Sequence, residues 1–374
     1  MNWAGGLVIG FLLVIILIII LANTIPLDST PPAPAPPAVL PPAPAPPTVL
    51  SPPPPPPAPM SSGGGGLASF QAPTTSPSSV PAPSPTTLTP FSPVSGPVSI
   101  SNSNPKKGFV YDLTIGGQPN TQFNQQMQSL NLGWYYTWGL TGSPNLNLKF
   151  TPMCWGAPDA AKLNQIPSGS TELLAFNEPD GNNQGAQSNM SIAQIVALWP
   201  TLQATGLRIG SIAAYTSPLA TSYTQPPGPP AAGRLVPAQG SLTTSYFDAL
   251  WSALSQAGMT PDFIALHWYA PPDAAGFLKW IDDIYAKYQT PIWITEMCPA
   301  DWQAGNPGQP AFERYTVADI QQFMQTVVSG MNSRSYVERF SWKTRPTTDI
   351  NMGNGALIAN DGTLTPLGQF YATL

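Results

Sequence analysis

The chain has 374 residues, enough for more than one domain, yet only 8% of them are charged and the formal net charge is −5. That weakly acidic balance leaves no basic footprint and excludes nucleic acid as a partner. A single His, His267, and two Cys, Cys154 and Cys298, without the paired spacing of zinc ligands exclude a zinc site, so neither a metal nor another cofactor is expected.

Residues 1–27 open the chain without a single Lys or Arg, and Leu7 to Ala22 is almost entirely aliphatic. This length is close to the ~20 residues that span a hydrocarbon core. A cleaved signal peptide normally has a shorter apolar core, a basic start and a small-residue cleavage site. The pattern therefore favours an uncleaved transmembrane helix through residues 3–25, with a secreted protein as the alternative if the segment is removed. Neither flank carries the basic excess that sets orientation. Export of the remainder is expected from its substrate, below.

Residues 28–105 hold more than half of the 49 prolines, and the decapeptide 31–40 recurs almost unchanged at 41–50. Such a segment has too little apolar surface to fold, and its prolines bias it to extended polyproline II. A disordered Pro/Ser/Thr-rich linker follows as the expectation, with Gly63–Gly66 as a swivel.

From Lys106 the pattern changes to short apolar runs separated by helical stretches. Strands are expected at 108–113, 133–138, 149–155, 173–178, 208–215, 263–269, 291–296 and 337–342. Helices are expected at 120–130, 191–205, 244–256, 274–287, 312–332 and 366–372. Eight alternating strands over residues 106–374 fit the ~250 residues typical of a (β/α)8 TIM barrel, an α/β fold. A doubly wound open sheet competes, but no Gly-rich phosphate loop follows the first strand.

A (β/α)8 barrel carries its chemistry at the C-terminal strand ends. The fourth strand ends in Asn177-Glu178-Pro179-Asp180, and Pro179, with no N–H to donate, stops it at Glu178. The seventh ends in Thr295-Glu296. The chain has only three other glutamates: Glu172 before its strand, Glu313 on an expected helix and Glu338 opening the eighth strand. These are assigned to the surface. Glu178 and Glu296 facing each other across one mouth form the carboxylate pair of a glycoside hydrolase.

Asn177-Glu178-Pro179-Asp180, His267-Trp268-Tyr269, Thr295-Glu296 and Trp342 together resemble the Asl1-like glycoside hydrolases of family 128, which belong to the retaining (β/α)8 clan. The resemblance covers residues 106–374. It implies Glu178 as acid/base, Glu296 as nucleophile, and a β-1,3-glucan as substrate, in a glycosidase of glucan β-1,3-glucosidase type with endo or exo action open. Asn177 is expected to bond the sugar 2-hydroxyl. His267 and Tyr269 share a strand face, so either can bond Glu296. Trp342 is expected to floor the cleavage subsite, with Trp138 and Trp155 stacking on neighbouring sugars. Cys154 and Cys298, at the ends of nearly opposite strands, are expected to stay reduced. The reading is of a monomeric enzyme, membrane-anchored with its catalytic domain exported and acting on a β-glucan. The alternative is a membrane-tethered β-glucan-binding protein without turnover.

Overall fold

The computed structural model describes residues 104–374 except 111–113, 116–117, 120–121, 144–145, 225–234, 236–237 and 344. The expected membrane segment and nearly all of the proline-rich linker lie outside the described residues. Among the described residues, no helix is long and apolar enough to cross a membrane.

The fold is α/β with parallel strands. Strands β1 (Asn104–Val110), β2 (Leu132–Tyr136), β3 (Lys149–Phe150), β4 (Glu172–Leu173), β5 (Arg208–Ile209), β6 (Ile264–Trp268), β7 (Ile292–Met297) and β8 (Val337–Lys343) fall within the eight expected runs or overlap them. Helices α1 (Gln122–Ser129), α2 (Ile192–Gln203), α3 (Tyr246–Gln256), α4 (Ala274–Tyr288), α5 (Val317–Ser333) and α6 (Pro366–Thr373) lie between and after them. The short connection after β3 carries only a 3-10 helix, Ala157–Gln165.

Six strands form one sheet in the order β3-β2-β1-β8-β7-β6. Parallel bridges continue it: Met153 to Leu174, β4 to β5, and Gly210 to Phe263 at the start of the sixth run. Each run thus pairs with the next, and the last, β8, pairs back to β1.

Period-2 alternation sorts the strand side chains into two layers. Phe109, Tyr135, Leu173, Leu266, Ile294 and Phe340 pack with helix residues such as Trp199, Phe277 and Ile320. Val110, Trp134, Tyr136, Met153, Leu174, Phe263 and Trp293 form a second cluster of strand-run residues alone. Gly108 is required here, because any Cβ would collide with the Trp134 indole. Arg339 fills the same interior, its guanidinium 4.1 Å from the Trp293 ring centroid and bonded to Thr151 and Glu172 at 3.0 Å each.

Three sequence expectations need correction. Glu172 is buried and ion-paired to Arg339 and Lys149 rather than at the surface. Helix α5 starts at Val317, not at residue 312, because Thr316 and Asp319 form a reciprocal capping box that fixes the N-terminus there. Glu313 therefore lies in the preceding loop, also buried, with Oε1 accepting from the Asn354 backbone N–H.

Candidate active site

The Asn-Glu-Pro-Asp segment is fastened on every residue. Asn177 N–H donates to Trp155 O at 2.9 Å and Glu178 N–H to Ala213 O at 2.8 Å, so both neighbouring runs hold the strand tip. Glu178 adopts φ +42°, a left-handed conformation that a long side chain seldom takes outside a constrained site. Asp180 then accepts from the backbone N–H groups of Tyr215 and Thr216, at 2.8 Å each, and from the Thr216 hydroxyl at 2.6 Å. The loop after β5 is thereby tied to the residue two beyond Glu178.

Glu296 reaches the same place through a bulge. Residues 264–266 pair with 292–294, but His267 pairs with Glu296, which leaves Thr295 as an extra residue on β7. Trp293 points to the interior cluster and Ile294 to the helices. Simple alternation would turn Thr295 inward and Glu296 outward; the bulge reverses this. A Thr295 hydroxyl bonded to Leu266 O at 3.3 Å holds it.

His267 brings the two carboxylates together. Its Nδ1 lies 2.9 Å from Glu178 Oε1, and its Nε2 lies 3.4 Å from Glu296 Oε1, an ion-pair distance without hydrogen-bond geometry. Two such contacts across one imidazole ring bring the acids within roughly 9 Å of each other, inside the outer limit for glycoside hydrolases.

The surroundings of the two acids differ. Glu296 accepts from the Tyr136 hydroxyl at 2.9 Å, the Trp138 indole N–H at 2.7 Å and the Tyr269 hydroxyl. Burial alone would raise its pKa, but His267, the Lys343 ammonium, Tyr269 and Trp138 outweigh it and hold the carboxyl down at about 2. Glu178 accepts from Gln187 Nε2 at 3.0 Å and meets His267. Burial works to lower the His267 pKa, yet Glu296 and Glu178 together raise it above the ordinary value.

The remaining candidates divide. Asn177 donates through Nδ2 to Ala186 O at 2.9 Å, while its buried Oδ1 has no protein partner. Trp155 is half-buried against the interior cluster. Trp138 is also half-buried, but its N–H serves Glu296 and one ring face carries the Lys343 ammonium 3.6 Å from the centroid. It therefore holds a carboxylate, with one of its two faces taken by the ammonium. Trp342 overturns its expectation: it is wholly enclosed, with its indole N–H donating to Gly355 O at 2.8 Å and its ring against Tyr371. It pairs with Phe109 of the helix-facing layer, whereas Lys343 pairs with Val110 of the interior layer. Both cysteines are free and buried.

Tyr136, Gln187, Lys343 and Trp302 were missed by the sequence reading. Tyr136 was within reach, since it lies two residues before Trp138 and so on the same strand face. Gln187 lies in a loop without any periodic signal. Trp302 is 52% exposed and donates its indole N–H to Tyr269 O at 2.9 Å. Tyr215 is 57% exposed. It borders a cavity of about 170 Å³ that Ser217, His267, Tyr269 and Trp280 also line. Among the described residues no cluster of His, Cys, Asp and Glu is arranged to hold a metal ion.

Residues 108–371 match the family model described as the glycosyl hydrolase catalytic core. Alkali-sensitive linkage protein 1 of Schizosaccharomyces pombe is 26% identical over 259 residues, which cover 68% of this chain and 43% of that one. The chain thus spans less than half the length of this relative. A family 128 (subgroup I) endo-β-1,3-glucanase from Amycolatopsis mediterranei, solved in complex with laminaripentaose, is 25% identical, with a TM-score of 0.54 over 72% of this chain and 98% of that one. A family 128 (subgroup VII) oligosaccharide-binding protein from Trichoderma gamsii shares the fold at 19% identity, with a TM-score of 0.51 over 74% of this chain and 95% of that one.

Proposed function

This chain belongs to the glycosyl hydrolase catalytic-core family, and from that premise we propose that it is a retaining glycoside hydrolase that cleaves β-1,3-glucan. The circuit of paired strands is read as a (β/α)8 barrel with the site at the C-terminal strand ends. The observation that carries the reading is the asymmetry between the carboxylates. Glu296 is held ionised by three hydroxyl or indole donors, as a nucleophile must be. Glu178 instead meets an imidazole and one amide, and the acid/base role is assigned to it.

In the first step Glu296 attacks the anomeric carbon while Glu178 gives its proton to the departing glycosidic oxygen, leaving a glycosyl ester on Glu296. In the second, Glu178 takes a proton from water as the water oxygen displaces that ester, and both acids return to their starting states. His267 orients both carboxylates. Its Nδ1 contact follows the Glu178 proton in and out, and its Nε2 faces Glu296 throughout. Asn177, the residue before Glu178, is read as the hydrogen-bond partner of the sugar 2-hydroxyl.

The substrate class rests on the relatives, of which the Amycolatopsis protein is named for its action on β-1,3-glucan. Two exposed aromatics, Tyr215 and Trp302, lie near Tyr269 beside the site and suit stacking on sugar rings, which supports cleavage within a chain. Residues 1–27 are read as a membrane tether and 28–105 as its spacer, with the catalytic domain outside the cell.

A glucan-binding protein without turnover is the second reading, because the Trichoderma protein shows that this fold also occurs in an oligosaccharide-binding protein. Incubation with laminarin separates them: new reducing ends, lost in both Glu178→Gln and Glu296→Gln, support hydrolysis. Binding with no new reducing ends supports the second reading. Proton NMR of the first product reads the mechanism, since a β-anomer before mutarotation supports retention and an α-anomer refutes it.

A further inference from the structure

We infer that Lys343 is a positioning residue for the Glu296 carboxylate, acting through the Trp138 indole; the inference rests on the reading of Glu296 as the nucleophile.

Lys343 is the last residue of β8 and pairs with Val110, so it faces the interior layer in which Arg339 lies on Trp293. It lies two inward-facing positions farther along β8, past Ser341, its Nζ 3.6 Å from the Trp138 ring centroid. A cation over an indole face is attracted by the ring quadrupole, more strongly where water is excluded. It also draws π density toward itself, which makes the in-plane N–H a better donor. That N–H points at Glu296 Oε1 from 2.7 Å, within the short range of bonds to charged acceptors.

The backbone supplies a second observation. Trp138 has φ +55°, a left-handed conformation that a bulky residue holds only under constraint from its surroundings. The ammonium on one face and the carboxylate at the edge fix the ring in the one orientation that serves Glu296. The other groups facing Glu296 are Tyr136 on β2, and His267 and Tyr269 on the sixth run, with Glu178 beyond the imidazole. Of these only His267 can carry a positive charge. Lys343 therefore supplies the charge near the nucleophile that does not depend on the titration of His267, and it contributes to holding Glu296 ionised.

The test compares full-length wild type, Lys343→Met and Lys343→Arg. Met keeps the length and packing of the side chain and removes the charge. On laminarin oligosaccharides, Lys343→Met is expected to lower kcat about tenfold with KM nearly unchanged, and to move the acid limb of the pH profile up by about one unit. Lys343→Arg is expected to restore the limb.

A readout free of turnover accompanies it. In protein labelled with ¹⁵N-tryptophan, the Trp138 indole signal, assigned through Trp138→Phe, reports the charge of Glu296. It should stay nearly constant from pH 5 down to 3 in wild type, with Glu296 held at about 2, and shift within that window in Lys343→Met. An unmoved acid limb together with a constant indole signal in Lys343→Met overturns the inference. A shifting indole signal in a chain that never cleaves laminarin supports the positioning role and refutes the hydrolase reading instead.

Discussion

The Tyr136 hydroxyl donates to Glu296 Oε1 across 2.9 Å, and both side chains are enclosed. Burial, with Glu296 beside it, pushes the Tyr136 pKa well above the usual phenol value, so it remains a donor at every working pH. A hydrogen bond to a charged acceptor contributes about 1.5–3 kcal/mol. Tyr136→Phe removes it without changing ring packing. The expected result is a fall of about tenfold in kcat and an upward shift of the acid limb, with the melting temperature within a few degrees of wild type. An unchanged pH profile would remove Tyr136 from the account of the nucleophile.

Trp302 lies beside the site, its N–H on Tyr269 O and its ring edge-on to the Tyr269 ring at 6.4 Å. As a sugar platform it acts on binding rather than on bond cleavage. Trp302→Ala should therefore raise KM for laminarin oligosaccharides about three- to tenfold, from the ~0.5–1.5 kcal/mol of an aromatic stacking pair, with kcat little changed. Trp302→Phe keeps a stacking face, loses the bond to Tyr269 O, and should stay near the wild-type KM. A drop in kcat common to both variants would point instead to support of Tyr269.

The chain order of strands and the two glutamates at strand tips were legible because each is signalled locally, whereas His267 was expected to bond Glu296 and its hydrogen bond is to Glu178. Pro179 marks a strand end, and a buried apolar run followed by an acid marks a tip. Orientation at a tip was harder to read. Trp342 and Lys343 are adjacent, and only the register with Phe109 and Val110 tells which of them turns inward. Glu296 faces Glu178 because of a bulge at Thr295 that no residue pattern announces. Glu172 looked like a surface acid because its two cations, Lys149 and Arg339, come from other strands.

That buried pair makes a prediction about stability. Arg339 and Glu172 are both enclosed, and removing one partner of such a pair costs about 3–5 kcal/mol, whereas replacing both with apolar residues costs far less. Arg339→Met should destabilise the chain strongly in urea unfolding, since Glu172 would keep only the Thr171 hydroxyl and the partly exposed Lys149. Adding Glu172→Met should recover most of the loss. A double variant as unstable as the single one would mean that the guanidinium counts for its packing on Trp293 rather than for its charge.

Glu296 and Glu313 give the pH dependence of stability opposite slopes. Glu296 is held at about 2 in the fold, so its contribution is present above its ordinary range near 4.5 and is lost as pH falls toward 2. Glu313 is the reverse case. Its Oε2 is buried without a partner, and burial, reinforced by Asp349 and Asp301 and only partly offset by the Asn354 N–H, pushes its carboxyl up to about 7. Between about 4.5 and 7 the folded chain then binds a proton at Glu313 that the unfolded chain releases, so stability declines as pH rises through that window. Glu313→Gln keeps the shape and an acceptor for the Asn354 N–H, but has no proton to lose. Its melting temperature should approach that of wild type near pH 4.5 and exceed it above pH 7, by an amount worth about 2 kcal/mol. A constant difference between the two proteins from pH 4.5 to 8 would show that Glu313 does not titrate across this range.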